Sequence, residues 1–257
     1  MTALITLSSL GANVARRLAE AFPASVLYFH DSVDDLAGAI SFSRTADLIK
    51  KLFDKTDGIV FIGPCGIMVR ALAPVLQSKL SDPPVVVVDV LGRYAVSLVS
   101  GHEGGANNLA IEVANIIGAE PVITTTTDAA RTLIVGVGCR RGCSSEAIVG
   151  AIHAALGEVG GSIDEVRFLA SADIKADEQG LLDAAFELGL PLRLIASDEI
   201  RACTKKFNTT PLAQRKVQLP AVAEPVALLA GRRTSLILQK KILNGVTVAI
   251  ARENSLS

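Results

Sequence analysis

Short apolar runs alternate with amphipathic stretches along the whole chain. In the first half, β-rich runs such as Gly58–Ile62 and Val85–Val88 are separated by segments with apolar residues at helical spacing, for example Leu48, Ile49 and Leu52. Four valines in a row are typical of a strand that is buried on both faces. The alternation predicts an α/β fold with a mostly parallel sheet covered by helices.

Turn residues refine this pattern. Leu91-Gly92-Arg93 predicts a hairpin between the valine run and a following strand, Tyr94–Val99. A helix is predicted over Ile67–Leu76, where Pro74 would kink or shorten it. The last strand predicted in this half is Val122–Thr125.

A second βα series opens at Leu133, after a polar stretch without periodicity at 126–131. It includes a helix over Ser144–Leu156, an apolar helix over Ala223–Leu229 and a closing hairpin around Asn244-Gly245. We therefore predict two domains, residues 1–130 and 131–257. Each is expected to be a three-layer α/β domain with a mostly parallel sheet, and the ligand cleft is expected between them.

The composition narrows the class of protein. Of 257 residues, 50% are hydrophobic and 20% are charged, which is typical of a globular chain. The formal net charge of −1 gives no support for nucleic-acid binding. No apolar run approaches the roughly 20 residues that span a bilayer, and the chain starts without a basic leader. We expect a cytoplasmic protein that binds neither nucleic acid nor membrane, with reduced cysteines that form no zinc site.

The stretch Ser100–Asn108 carries most of the candidate chemistry of the first half. Between a predicted strand and a predicted helix it combines an imidazole, a carboxylate, three glycines and two amides. Glycines let backbone approach a ligand closely, and the free N–H groups of a helix start bind oxyanions. The candidate site residues are Gly101, His102, Glu103, Gly104, Gly105 and Asn107. Alternatively, His102 bonds only a neighbouring carbonyl, and Glu103 only complements the helix dipole.

Two further turns follow predicted strands. Gly66 and Arg70 lie at and beyond the end of Gly58–Ile62, the edge where open α/β sheets bind ligands. Gly138, Arg140 and Arg141 lie in a glycine-rich turn before a helix, where arginines and helix N–H groups could hold an anion. In both turns the glycines could instead serve the backbone alone, with the arginines solvated.

Lys175 and Glu178 form a third candidate pair. They follow the strand Val166–Ala170 and would share one face of a helical turn. The simpler interpretation is a surface ion pair worth well under about 1 kcal/mol.

Several stretches together resemble the cobalt-precorrin-5A hydrolase family. They are GPCGIMVRALAPVLQSKLSDPPVVVVDVLGRYAVSLVSGHEGGANNLA, GAEPVITTTTD, VGVGCRRGCSSEAI, ASADIKADEQGLLDAA, VAEPVALLAG and TVAIA. Cys143 stands where such proteins more usually have threonine, and residues 204–219 diverge. The segment that often separates the two domains in this family is absent here, since Thr127-Asp128 runs almost directly into Leu133.

The resemblance implies an enzyme that opens the δ-lactone of a ring-contracted cobalt tetrapyrrole and releases acetaldehyde, giving cobalt-precorrin-5B. On that basis we expect His102 to activate water and Glu103, Lys175 or Glu178 to protonate a leaving group. The arginines and glycine-rich helix starts would bind the carboxylates of the substrate. Cobalt arrives inside the substrate, so we expect no cofactor and no protein-bound metal.

Two other functions stay open from the sequence. One is a non-catalytic protein that binds or carries a tetrapyrrole intermediate. The other is a nucleotide-dependent enzyme using Gly136–Gly142, which resembles a dinucleotide fingerprint but has three residues, not two, before its last glycine. A homodimer is also left open.

Overall fold

The computed structural model describes residues 1–209 and 218–256. By internal packing the chain divides into two compact units, Met1–Thr125 and Thr126–Ser257. The sequence predicted this boundary after residue 130, slightly later in the chain. Within the divergent segment 204–219, residues 210–217 lie outside the described residues.

The first unit is a seven-stranded sheet in the order β3-β2-β1-β4-β5-β6-β7. Every neighbouring pair is parallel except β5 and β6, which are antiparallel. The elements are β1 (Thr2–Thr6), α1 (Ser9–Ala21), β2 (Ser25–His30), β3 (Ala39–Phe42), α2 (Thr45–Leu52), β4 (Gly58–Ile62), α3 (Cys65–Leu72), β5 (Val85–Val88), β6 (Tyr94–Val99), α4 (Ala106–Ile117) and β7 (Glu120–Val122).

Alternate strand residues of this sheet pack into two separate cores. Leu4, Val60 and Val86 face α1 and α4, whereas their chain neighbours face α2 and α3. Because side chains alternate across a strand, a sheet buried on both faces needs apolar residues at consecutive positions. The three-layer prediction is confirmed for this unit, and the valine run forms β5.

Several element boundaries differ from the prediction. The four-residue edge strand β3 was not predicted, because it is short and only partly buried. Helix α3 ends at Leu72, two residues before Pro74, so the proline ends the helix and does not kink it. β7 begins at Glu120 and ends at Val122, earlier than predicted, and the polar stretch after it begins with a short helix, α5 (Thr126–Ala129).

The second unit is a five-stranded sheet in the order β10-β9-β8-β12-β11. The first three strands in this order are parallel, and the closing hairpin adds the last two antiparallel. The elements are β8 (Leu133–Cys139), α6 (Ser145–Glu158), β9 (Val166–Ala172), α7 (Gln179–Glu187), β10 (Leu192–Ile195), α8 (Ser197–Arg201), α9 (Ala223–Leu229), β11 (Thr234–Leu243) and β12 (Val246–Glu253).

Helices cover both faces of this sheet as well. Val135 and Val137 of β8 belong to one core with α6 and α7. On the opposite face α9 lies so close that a Cβ at Gly136 would come 2.0 Å from the carbonyl oxygen of Ala223. Glycine at this position therefore serves helix–strand packing. The predicted cleft between the two domains stays a prediction.

Searched over the described ranges, no helix has both the length and the apolar character needed to cross a bilayer.

Candidate functional site

The glycine-rich turn after β6 and the start of α3, which contains Gly66, lie at opposite ends of the strands of one sheet. β4 and β5 are parallel, whereas β6 runs back along β5, with Val85 paired to Val99 and Val88 to Ala95. The turn after β6 therefore lies where β4 and β5 begin, and the turn after β4 lies where they end. Strands of this length separate the two ends by about 16 Å. The structure does not bring Gly66 together with His102.

Arg70 lies on the side of α3 that faces away from the sheet. The buried residues of α3 are Met68, Ala71 and Leu72, which define the side of the helix packed on the sheet. At about 100° per residue, Arg70 is roughly 150° from the centre of that side. Its side chain is exposed, so Arg70 points to solvent.

The turn after β6 folds back on itself through two hydrogen bonds. The backbone N–H of Ala106 donates to Ser100 O and that of Asn107 to Gly101 O, both over 3.0 Å. Gly105, with φ of 87°, precedes α4 in the left-handed conformation that favours glycine. The first two amides of α4 are thus already occupied. These two amides are therefore not available to an oxyanion.

Asn107 and Gly101 hold the turn in place. Asn107 is buried; its Oδ1 accepts from Ser97 Oγ at 2.8 Å and its Nδ2 donates to Thr125 Oγ1 at 3.0 Å. A Cβ on Gly101 would lie 2.8 Å from Thr125 Cγ2. Both residues therefore have a structural role, which the sequence could not distinguish from ligand binding.

His102 is exposed at the tip of this turn. Within residues 1–209 and 218–256 no acceptor pairs with the backbone N–H groups of His102, Gly104 or Gly105. Unpaired backbone donors next to an exposed imidazole are the groups that a developing oxyanion and an attacking water need.

Glu103 is held by a neighbouring loop. Lys79 Nζ lies 2.6 Å from Glu103 Oε1, and both side chains are exposed. The hydrogen bond from Lys79, aided by the Glu103 backbone N–H and by nearby positive charge, lowers the pKa of Glu103. The carboxyl is therefore ionised near neutral pH and carries no proton to give away.

Ser100 was not singled out from the sequence. It is 5% exposed and has φ of 59°, a left-handed conformation that costs a non-glycine residue energy. No partner is found for its buried Oγ among the described residues. Strain and an unpaired buried hydroxyl often mark functional positions. The sequence feature that could have indicated Ser100 is a serine placed between an apolar strand and a glycine.

In the second unit, the turn after β8 and the segment after β9 meet at the carboxyl edge of the sheet. The Gly142 N–H donates to Glu178 Oε1 at 2.7 Å, and Lys175 Nζ donates to Glu178 Oε2 at 3.0 Å. The Lys175 and Glu178 side chains are only 12% and 6% exposed. The simpler interpretation of a surface ion pair is wrong, because this pair is buried and Glu178 also links the two segments through Gly142.

Burial opposes ionisation of Glu178. The hydrogen bonds from Lys175 and the Gly142 amide, with the charges of Lys175 and Arg141, outweigh that effect and lower the pKa of Glu178. Each carboxylate oxygen accepts a hydrogen bond, and the carboxyl group is ionised near neutral pH. Glu178 therefore holds the turn in place and does not serve as a proton donor.

The two arginines of this turn are exposed. Arg141 Nη1 lies 3.3 Å from Asp177 Oδ2, while no described residue pairs with the Arg140 guanidinium. A Cβ on Gly138 would lie 3.3 Å from Val222 Cβ, so this glycine serves packing. Burial raises the pKa of the Cys139 thiol to about 11, which leaves it protonated and a poor nucleophile.

The described side chains include no cluster of three or more His, Cys, Asp or Glu that could hold a metal ion. The structure groups the predicted site residues into two sets, one in each unit. The first set is His102, Glu103 and the glycines around them; the second is Arg140, Arg141, Lys175 and Glu178.

Two family models match the chain in succession. The model described as cobalamin synthesis G N-terminal matches residues 47–128, and the one described as cobalamin synthesis G C-terminus matches residues 133–251. Together they cover most of the chain and leave residues 129–132 between them. The chain belongs to the cobalamin synthesis G family.

Two curated relatives of this cobalamin synthesis G protein are named cobalt-precorrin-5A hydrolase. The one from Salmonella typhimurium is 42% identical over 127 residues, which are 49% of this chain and 36% of that protein. The one from Priestia megaterium is 23% identical over 97% of this chain and 94% of that protein. The chain thus matches about a third of the first relative and nearly all of the second.

Among solved structures, CobE, described as a protein from the cobalamin (vitamin B12) biosynthetic pathway, is 33% identical to this chain. The matched region covers 49% of this chain and 93% of the CobE chain, with a TM-score of 0.45.

Proposed function

We propose that this chain is a cobalt-precorrin-5A hydrolase. It opens the δ-lactone of a ring-contracted cobalt tetrapyrrole and releases the former bridge carbon as acetaldehyde, leaving cobalt-precorrin-5B. Both family matches and the names of two relatives support this function over a non-catalytic carrier. Cobalt enters with the substrate, and the proposal uses no protein-bound metal or cofactor.

The observation that carries the mechanism is an exposed imidazole beside backbone donors that have no acceptor among the described residues. His102 takes a proton from water as the water attacks the lactone carbonyl. The N–H groups of Gly104 and Gly105 stabilise the oxyanion that forms. After the ring opens, loss of the alcohol proton lets the C–C bond break, and the macrocycle takes up the electron pair as acetaldehyde leaves.

The second unit contributes positive charge. Acetate and propionate groups of the substrate are anionic at neutral pH, and the Arg140 guanidinium, which pairs with no described residue, can bind one of them. Glu178 is a positioning residue, because it fixes the Gly142 amide and so the conformation of the arginine turn. Lys175 is fixed by the same carboxylate and adds a cation at this edge.

The test is incubation of the purified lactone intermediate with the full chain, followed by an assay for acetaldehyde. We expect stoichiometric acetaldehyde and a corrinoid product that has gained a free carboxylate. Retained binding of the intermediate without acetaldehyde would refute the hydrolase and favour the carrier. Protection against heating by a nucleotide, but not by a corrinoid, would favour the nucleotide-dependent alternative.

A further inference from the structure

A groove lies on the first unit, between the edge strand β3 and helix α2. It is an open cavity of about 890 Å³, lined entirely by residues of β2, β3, α2 and the turns next to them. Tyr28 and Ile40 are cross-strand partners and so lie on the same face of the sheet. Ile40 is 54% exposed although it is a large apolar residue, so α2 does not cover this part of the face.

The rim of the groove is basic. Lys50, Lys51 and Lys55 line it, and no described residue forms an ion pair with any of them. Arg44 also lines it and pairs with Asp47 at 3.6 Å on the exposed surface. Counting the second acid on the rim, Asp54, the lining carries four basic and two acidic side chains in a chain whose net charge is −1.

The spread of these cations constrains the ligand. Arg44 directly precedes α2 and Lys51 lies in its last turn, and a helical rise of about 1.5 Å per residue places them about 10 Å apart along the helix. A ligand with one anionic head, such as a fatty acid, would use one end of such a rim. A flat apolar ligand with carboxylates around its periphery would lie on Tyr28 and Ile40 and pair with several of the cations at once.

We propose that the β3–α2 groove binds a polycarboxylate macrocycle. The class of ligand rests on the proposed function, in which the substrate and product are macrocycles of this kind. The groove is separate from the glycine-rich turn: five strand spacings lie between β3 and β6, or about 24 Å. It is therefore a second docking site, where an intermediate can be held before or after the reaction.

The test is an equilibrium titration of the full chain with cobyrinic acid, a cobalt corrin with free acetate and propionate groups. Lys51→Glu reverses one rim charge. Arg17→Glu, the control, makes the same change at an exposed position of α1, which packs on the opposite face of the sheet. We expect Lys51→Glu to weaken one set of binding sites at least about fivefold at low salt, and Arg17→Glu to change binding less than about twofold.

The fully amidated corrin, which lacks the carboxylates, should bind the groove weakly in both variants. Acetaldehyde release should be unchanged by Lys51→Glu, because the groove is distant from His102. A titration by Lys51→Glu identical to that of the wild type would overturn the proposal, as would equal binding of the acid and the amide. Absence of acetaldehyde from the wild type, with the Lys51 effect intact, would instead refute the proposed function alone.

Discussion

Replacing Glu178 by leucine should destabilise the second unit more than any exposed substitution nearby. The change leaves the Lys175 ammonium, 12% exposed, without its counter-charge and the Gly142 N–H without its acceptor. Removal of one member of a buried ion pair costs about 3–5 kcal/mol. Gly142 is itself an exposed residue, so water can satisfy its N–H and the lost acceptor adds little to that figure. We expect a total loss of about 3–5 kcal/mol in the free energy of unfolding.

Urea unfolding followed by circular dichroism measures this loss, and hydrogen exchange at the Gly142 amide locates it. Asp177→Asn is the matched control, because Asp177 is an exposed carboxylate beside Glu178 and its ion pair with Arg141 should be worth about 0.5 kcal/mol or less. The double variant Lys175→Met/Glu178→Leu removes both charges and should recover about 2 kcal/mol of the loss. A Glu178→Leu protein within about 0.5 kcal/mol of the wild type would show that the Glu178 contacts contribute little to stability.

The same carboxylate predicts a pH dependence. The pKa of Glu178 is lower in the folded protein than its ordinary value of 4.5, so its ionisation stabilises the fold above that pH. This contribution should disappear as pH falls from about 4.5 through the folded pKa. The stability difference between the wild type and Glu178→Gln should therefore be largest near neutrality and narrow in acid. A difference that widens below pH 4.5 would have the wrong sign.

Four further substitutions test the site. Gly104→Ala would put a Cβ 2.3 Å from Ser100 Cβ, so it should lower the free energy of unfolding by about 1–3 kcal/mol and remove most of the activity. Gly66→Ala has open space around the new Cβ, so it should be neutral or stabilising by about 0.5 kcal/mol and keep full activity. Ser100→Ala removes a buried hydroxyl that has no partner in the described part of the chain, and it should raise stability by about 1 kcal/mol. A loss of that size would show that the hydroxyl has a partner. Arg140→Glu should weaken corrinoid binding more at low salt than at high salt, and salt-independent binding equal to the wild type would count against it.

The layers of the fold could be predicted from the sequence, because apolar runs buried on both faces and helical periodicity are local signals. The valine run of β5 and the alternation of strands and helices suffice for two α/β units. Edge strand β3 could not be predicted in this way. It is four residues long and Ile40 is half exposed, so it lacks the burial that produces a pattern.

The candidate site was predicted only in part, for geometric reasons. The hairpin between β5 and β6 was predicted, yet its consequence, that the glycine-rich turn lies at the end of the strands opposite Gly66, follows only from strand pairing. The Glu178 contacts join Lys175 to Gly142, and the bond to Gly142 spans 36 positions of the chain. A local pattern cannot distinguish such a buried bridge from a surface ion pair.

The catalytic role of His102 is tested by the rate of acetaldehyde release by His102→Ala, compared with His153→Ala, which alters an exposed histidine of α6. We expect the His102 variant to lose at least about 100-fold in turnover with substrate affinity unchanged, as removal of a general base predicts. The His153 variant should match the wild type. Wild-type turnover by His102→Ala would contradict the assignment of the base and, with it, the catalytic role of the glycine-rich turn.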